Sequence, residues 1–156
     1  MKRFVLLLPL LLLGLVLTKT ETTAQSADSS KVVKVEIAKD PTSTNQEKVF
    51  VITLTVELGY HLYANPVINP DLASVQTSVA VKSEGTSIPS KVEYPAGKLV
   101  KDDVVGDYAT YEGVTKIKAK VVVPNDQKTP LEVVVKYQAC SKKSCLAPAI
   151  ATFKLP

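Results

Sequence analysis

Histidine and cysteine are scarce in this chain: 156 residues hold one histidine, His61, and two cysteines, Cys140 and Cys145. A single histidine with no plausible nucleophile partner excludes a Ser-His-Asp hydrolase. One histidine and two cysteines fall short of a four-ligand zinc site, so no metal is expected. Basic runs with interleaved aromatics are also missing, which argues against nucleic acid as a partner. No segment sustains a helical period. The one long apolar run, Phe4 to Leu17, has 14 residues and is broken by Pro9 and Gly14, whereas a membrane-spanning helix needs about 20.

That run has a different use. Met1, Lys2 and Arg3 precede it, and the small polar stretch Thr22-Thr23-Ala24-Gln25 follows it. Positive n-region, short apolar core and small-residue cut site together read as a secretory signal peptide over residues 1–24, cleaved after Ala24. An uncleaved anchor is the weaker alternative. No cysteine closely follows the run, which speaks against a lipid anchor. The expected location is periplasmic or extracellular. Cleavage removes Lys2, Arg3, Lys19 and Glu21, leaving 16 basic and 14 acidic residues, so the +4 of the whole chain overstates the charge of the mature protein.

Residues 25–30 are small and polar and read as a flexible lead-in; residues 31–156 read as one domain, with no internal repeat or linker. A domain of this size buries a core without needing a disulfide. Val49 to Leu58 is the cleanest strand, with Phe50, Ile52, Leu54, Val56 and Leu58 expected inward and Val49, Val51, Thr53, Thr55 and Glu57 outward. Further strands are expected at 32–37, 75–81, 91–94, 115–123, 131–137 and 149–155. Turn clusters separate them: Asn65-Pro66, Asn69-Pro70-Asp71, Glu84-Gly85 and Pro124-Asn125-Asp126. The lysines lie among valines, as on the solvent face of a sheet. About seven strands at this spacing predict an all-β antiparallel sandwich.

Three segments carry candidate chemistry. In Tyr137-Gln138-Ala139-Cys140-Ser141-Lys142-Lys143-Ser144-Cys145-Leu146-Ala147-Pro148 the cysteines flank a hairpin connection, and the sulfurs meet if the turn folds back. A thiolate is the nucleophile, and cations such as Lys142 and Lys143 stabilise it. A static bridge pinning the hairpin is the alternative, although so short a loop contributes only about 2 kcal/mol in chain entropy. In Gly59-Tyr60-His61-Leu62-Tyr63-Ala64-Asn65-Pro66, His61 and Tyr63 share one face of a strand. They wall an active site, or His61 merely satisfies a carbonyl. In Lys101-Asp102-Asp103-Val104-Val105-Gly106-Asp107-Tyr108, the acidic pair is a surface turn, or a set of carboxylates that bears on a thiol's ionisation.

Together these segments resemble the N-terminal periplasmic domain of the thiol:disulfide interchange protein DsbD. The most specific part is Tyr137-Gln138-Ala139-Cys140 followed by Cys145-Leu146-Ala147-Pro148. Gly59 to Pro66 is similar to the family's Gly-aromatic-His/Tyr-aliphatic-Tyr strand. Asp102-Asp103-Val104-Val105-Gly106 is similar to its cap loop. The resemblance spans nearly the whole mature chain and implies an immunoglobulin-like fold.

It also implies a role. Cys140 and Cys145 would be a redox pair that passes electrons to oxidised thioredoxin-like periplasmic proteins. Cys145 would form the mixed disulfide and Cys140 would resolve it. His61, Tyr63, Asp102 and Asp103 would line the site, and Val104 would take the cap position. No cofactor is implied, and the domain would be a relay rather than a self-sufficient enzyme. The chain stops at Pro156 with no transmembrane or thioredoxin-like segment behind it, so a separate membrane-embedded electron donor is expected. Val104 is smaller than the family's usual cap aromatic, which predicts weaker shielding. The intercysteine loop is a residue shorter than in some members, which leaves the potential and the direction of electron flow open. The rival from another class is an exported binding or structural sandwich whose Cys140–Cys145 bridge never turns over.

Overall fold

The computed structural model describes residues 28–123 and 129–155. The signal-peptide expectation over 1–24, lead-in residues 25–27 and the turn residues 124–126 lie outside the described residues. Twelve strands run in chain order: β1 Val33–Lys39, β2 Glu47–Val56, β3 His61–Tyr63, β4 Ser78–Ser83, β5 Thr86–Ser87, β6 Ser90–Glu93, β7 Lys98–Val100, β8 Tyr108–Tyr111, β9 Val114–Val122, β10 Leu131–Tyr137, β11 Ala139–Cys140 and β12 Ala149–Leu155. They form three four-stranded sheets, ordered β1-β2-β9-β6, β12-β10-β4-β5 and β11-β3-β8-β7. The named strand pairs are all antiparallel.

Period-2 alternation explains the two larger sheets. On β2, Phe50, Ile52, Leu54 and Val56 are buried, and on β9 Thr115, Ile117, Ala119 and Val121 are buried between exposed Lys116 and Lys118. The register Ile52↔Ile117 keeps these faces aligned. From the second sheet, Val79 and Val81 of β4 and Leu131, Val133, Val135 and Tyr137 of β10 enter the same cluster. Two sheets closed over one apolar core make the expected antiparallel sandwich of immunoglobulin type. Ile52, Leu54, Ile117 and Leu62 are fully buried, and each such side chain contributes about 1.5–3 kcal/mol.

The small third sheet joins that core through Leu62, Ala109, Tyr111 and Ala139. Gly97, just before β7, has no room for a side chain. A Cβ there would lie 2.6 Å from the Ala64 Cβ and 2.9 Å from the Ala109 Cβ, so only glycine fits.

Four expectations need correction. Leu58 is fully exposed rather than inward, because β2 ends at Val56 and the turn at Gly59 (φ +89°) swings the chain away. Val49 is buried rather than outward. Its carbonyl accepts from Asp40 N and its amide donates to Ser43 Oγ (2.8 and 2.9 Å), so the β1–β2 connection folds back against it. The strand expected from Val75 begins at Ser78. Pro70–Val75 is a 3-10 helix, capped by the Asn69 side chain accepting from Asp71 N, with proline in its first turn.

The fourth correction concerns the lead-in. Asp28, Ser29 and Ser30 are not loose: Ser29–Lys31 forms a 3-10 turn capped by the Asp28 carboxylate, and Ser29 is fully buried. The hydrogen bonds that pin it run to the cysteine segment.

Candidate functional site

The cysteine segment folds as a tight hairpin. Cys140 and Cys145 face each other across an antiparallel bridge and form a disulfide, with Cα atoms 3.9 Å apart. Inside the bridge, Ser141 N donates to Ser144 O (2.8 Å), and the Ser141 hydroxyl accepts from the amides of Lys143 and Ser144 (both 3.2 Å). A serine hydroxyl bonding nearby amides is a familiar way to hold such a turn. Lys142 and Lys143 form its exposed tip. Outside the bridge, Leu146 N donates to Ala139 O and the Gln138 amide donates to Leu146 O (both 2.9 Å).

The hairpin's first arm is also β11, which docks on β3 with Cys140 opposite His61 and Ala139 opposite Leu62. The pleat then sorts the third sheet into two faces. Leu62, Ala139 and Tyr111 point to the core. Register carries the other face from Cys140 and His61 to Tyr63, Thr110 and Lys98, and on to Tyr108 and Val100. These residues, with Glu112 and the hairpin from Ser141 to Ser144, border a groove of about 620 Å³.

The two sulfur-bearing residues differ in access: Cys140 is 2% exposed, whereas Cys145 is exposed. His61 is half-buried, and its ring meets that of Tyr63 edge-on at 5.9 Å. Burial holds the His61 pKa below its ordinary value, and the charge of Glu112 partly offsets this. Tyr63 stacks edge-on with Tyr108 at 5.7 Å. Burial raises its phenol pKa, and Tyr108 adds to the shift. Burial thus disfavours the charged forms of both His61 and Tyr63 beside the pair. The charges sit at the margin, where Lys98 Nζ pairs with Glu112 at 3.0 Å beside the hairpin lysines.

The structure thus gathers Cys140, Cys145, His61 and Tyr63 around one groove. Asp102, Asp103 and Val104 do not line it. They occupy the connection between β7 and β8, whose ends Val100 and Tyr108 do. Asp102 accepts from the amides of Val104 (2.8 Å) and Val105 (3.0 Å), and those bonds lower its pKa. The Val104 side chain stands 92% exposed and covers nothing. Lys98, Thr110 and Glu112 escape sequence reasoning. Each is an unremarkable strand or turn residue until the β3–β8–β7 register brings it to the cysteines.

The family model described as thiol:disulfide interchange protein DsbD, N-terminal, matches residues 29–156. A search of curated proteins finds no match. Among solved structures, the reduced DsbD N-terminal domain of Neisseria meningitidis is similar with a TM-score of 0.56 at 15% identity, over 83% of this chain and 88% of that one. The complex of the DsbD and PilB N-terminal domains from the same organism gives 0.54 at 14%, over 78% and 80%. The N-terminal periplasmic domain of ScsB from Proteus mirabilis gives 0.57 at 15%, over 83% of this chain and 52% of that one. At such identities the structural likeness is one of fold.

Proposed function

Because the chain belongs to the family of DsbD N-terminal domains, we propose that its domain over residues 31–156 is a thiol–disulfide exchange relay, exported by the 1–24 segment and working in the periplasm or outside the cell. The reduced Cys145 thiolate attacks a disulfide sulfur of a thioredoxin-like partner. One S–S bond forms, the partner's own S–S bond breaks, and the partner sulfur released leaves as a thiolate. The Cys140 thiolate then attacks Cys145, closing the intramolecular bridge and releasing the partner as a dithiol. Two electrons move to the partner, and a dithiol donor returns the pair to its reduced state.

The observation that carries this reading is the difference in access between the two cysteines. An exposed Cys145 at a cationic hairpin suits attack on a bulky protein disulfide, and a buried Cys140 directly behind it suits resolution. His61 and Tyr63 supply a partly dry wall. We assign Asp102, Asp103 and Val104 to a loop beside the groove that swings over the pair from the open position it takes here. Partner capture is a documented behaviour of the fold's relatives, since the DsbD N-terminal domain of Neisseria meningitidis forms a complex with a PilB N-terminal domain.

The test is trapping. A Cys140→Ser protein, reduced and mixed with an oxidised thioredoxin-like domain, should accumulate a mixed disulfide through Cys145, detected by mass. A wild-type bridge that never equilibrates with such a partner, together with no adduct in the variant, would leave a stapled binding domain in place of a relay.

A further inference from the structure

Ser29 lies 110 residues from the cysteine hairpin in sequence and joins both of its arms. Its hydroxyl accepts a hydrogen bond from Ala139 N at 2.8 Å and donates one to Ala147 O at 2.7 Å. Its own amide donates to the same Ala147 carbonyl at 2.9 Å. Ala139 directly precedes Cys140, and Ala147 follows Cys145 by two residues. One buried hydroxyl therefore spans the base of the loop whose top is the disulfide.

Ser29 is in turn anchored to the sandwich. Asp28 caps its 3-10 turn by accepting from Ser30 N at 2.8 Å and from the Ser30 hydroxyl. Val32 N returns to Ser29 O at 3.3 Å, and Glu57 N donates to Val32 O at 2.9 Å. β1 begins at the next residue and pairs along its length with β2. Asp28 also makes a parallel bridge with Ala147. The redox hairpin is thus held from below by a strut footed on the opposite sheet.

We propose that Ser29 is a positioning residue for the cysteine pair, holding the arms together when the disulfide is open so that the two thiols stay preorganised for closure. The inference rests on the relay reading only for its purpose; the strut itself acts on any thiol–disulfide couple. In the oxidised state the covalent bond already fixes the arms, so the strut adds little to loop geometry. In the reduced state the hairpin's own backbone bonds, the pairing of its first arm with β3, and Ser29 are what keep Cys140 behind Cys145, and among these Ser29 is the group that joins both arms. Losing the hydroxyl leaves Ala139 N, a buried donor, without its partner, so the first arm loses its tie to the strut, while Ala147 O keeps only the bond from the Ser29 amide. The effective concentration of one thiol for the other falls, and closure becomes less favourable.

The experiment is the equilibrium of the Cys140–Cys145 pair against dithiothreitol, for wild type, Ser29→Ala and Asp28→Ala. Ser29→Ala should shift the equilibrium toward the dithiol by about tenfold, equivalent to about 30 mV for a two-electron couple. Asp28→Ala, an outward-facing change that loosens the turn without opening the core, should shift it the same way by a smaller factor. It decides the matter if Ser29→Ala fails to fold. An unchanged equilibrium in a folded Ser29→Ala protein would overturn the proposal even if thermal stability falls, because a merely structural hydroxyl lowers stability in both redox states alike. An unchanged equilibrium in Asp28→Ala, should the serine variant not fold, would overturn it equally. The relay reading fails separately, by the absence of a protein mixed disulfide in Cys140→Ser and of exchange with a thioredoxin-like partner in a wild type that equilibrates normally with dithiothreitol.

Discussion

Two loops lie at the groove, one lining it and one only beside it, and they are held in opposite ways. The cysteine hairpin is braced on every side: across its own ladder, to β3 through the Cys140–His61 pairing, and to the lead-in through Ser29. The connection from Lys101 to Asp107 is bonded mainly to itself. Asp102 takes the amides of Val104 and Val105, Gly106 N returns to Asp102 O, and Lys101 pairs with Asp107. Its tie to the body is the Asn69 side chain donating to Val105 O. Atoms that must meet within bond-forming distance are fixed by many contacts, whereas a segment that must yield to a partner keeps few.

The largest effect expected from breaking this arrangement is at the chemistry itself. Cys145→Ser should lose protein exchange altogether, whereas Cys140→Ser should keep the first step and stall, as thiol-trapping time courses would resolve. Next comes the floor under β7. Gly97→Ala forces a methyl against Ala64 and Ala109, and overpacking of this kind costs about 1–3 kcal/mol. Thermal unfolding should show a lower Tm, and exchange should slow as β7 and β8 move away from the cysteines. The loop should behave in the opposite manner. Asp102→Ala removes two exposed bonds within the loop, so Tm should hold. If the loop shields the pair, exchange should quicken by about threefold, the scale of a single modest hydrogen bond. An equal loss of Tm in both variants would erase the distinction between braced and free borders.

The same distinction explains what was legible in the chain. Alternation on β2 and β9 specifies a face because a sheet's period is two, so Phe50, Ile52, Leu54, Ile117 and Val121 were readable as core. The ends were not. Val49 and Leu58 obey the pattern and yet exchange places, since burial there depends on how a turn folds back. Asn69-Pro70 has the composition of punctuation, although a capping asparagine before proline also starts a helical turn. At the site, the cysteine, histidine and tyrosine segments were visible from residue type and spacing. Lys98, Thr110 and Glu112 were not, because strands of three and four residues carry too little pattern to set a register. Ser29 was invisible for a further reason: a small polar residue near a chain terminus has the composition of a loose tail, and only its distant partners make it a strut.

The smallest effect expected is a difference in acid sensitivity between the two borders. His61 has its pKa lowered from 6.5 by burial, so the folded state binds a proton less readily than the unfolded one. Stability linked to His61 is therefore complete above about pH 6.5 and declines as the pH falls below it toward the depressed folded value. Glu112 opposes the shift, so Glu112→Gln should steepen the decline and His61→Gln should flatten it. Asp102 titrates with the other sign of group and in another window. Hydrogen bonds from Val105 and Val104 lower its pKa from 3.8, so what it contributes to the loop persists above that value and is lost only as the pH drops through the lowered one. Amide exchange followed from pH 7 downward should therefore loosen β3 and β11, around His61 and Cys140, before it loosens Val104 and Val105 relative to their own neutral-pH rates. Loosening of the loop first, or of both together near pH 6, would mean that the wall beside the cysteines is not the desolvated environment its half-buried histidine implies.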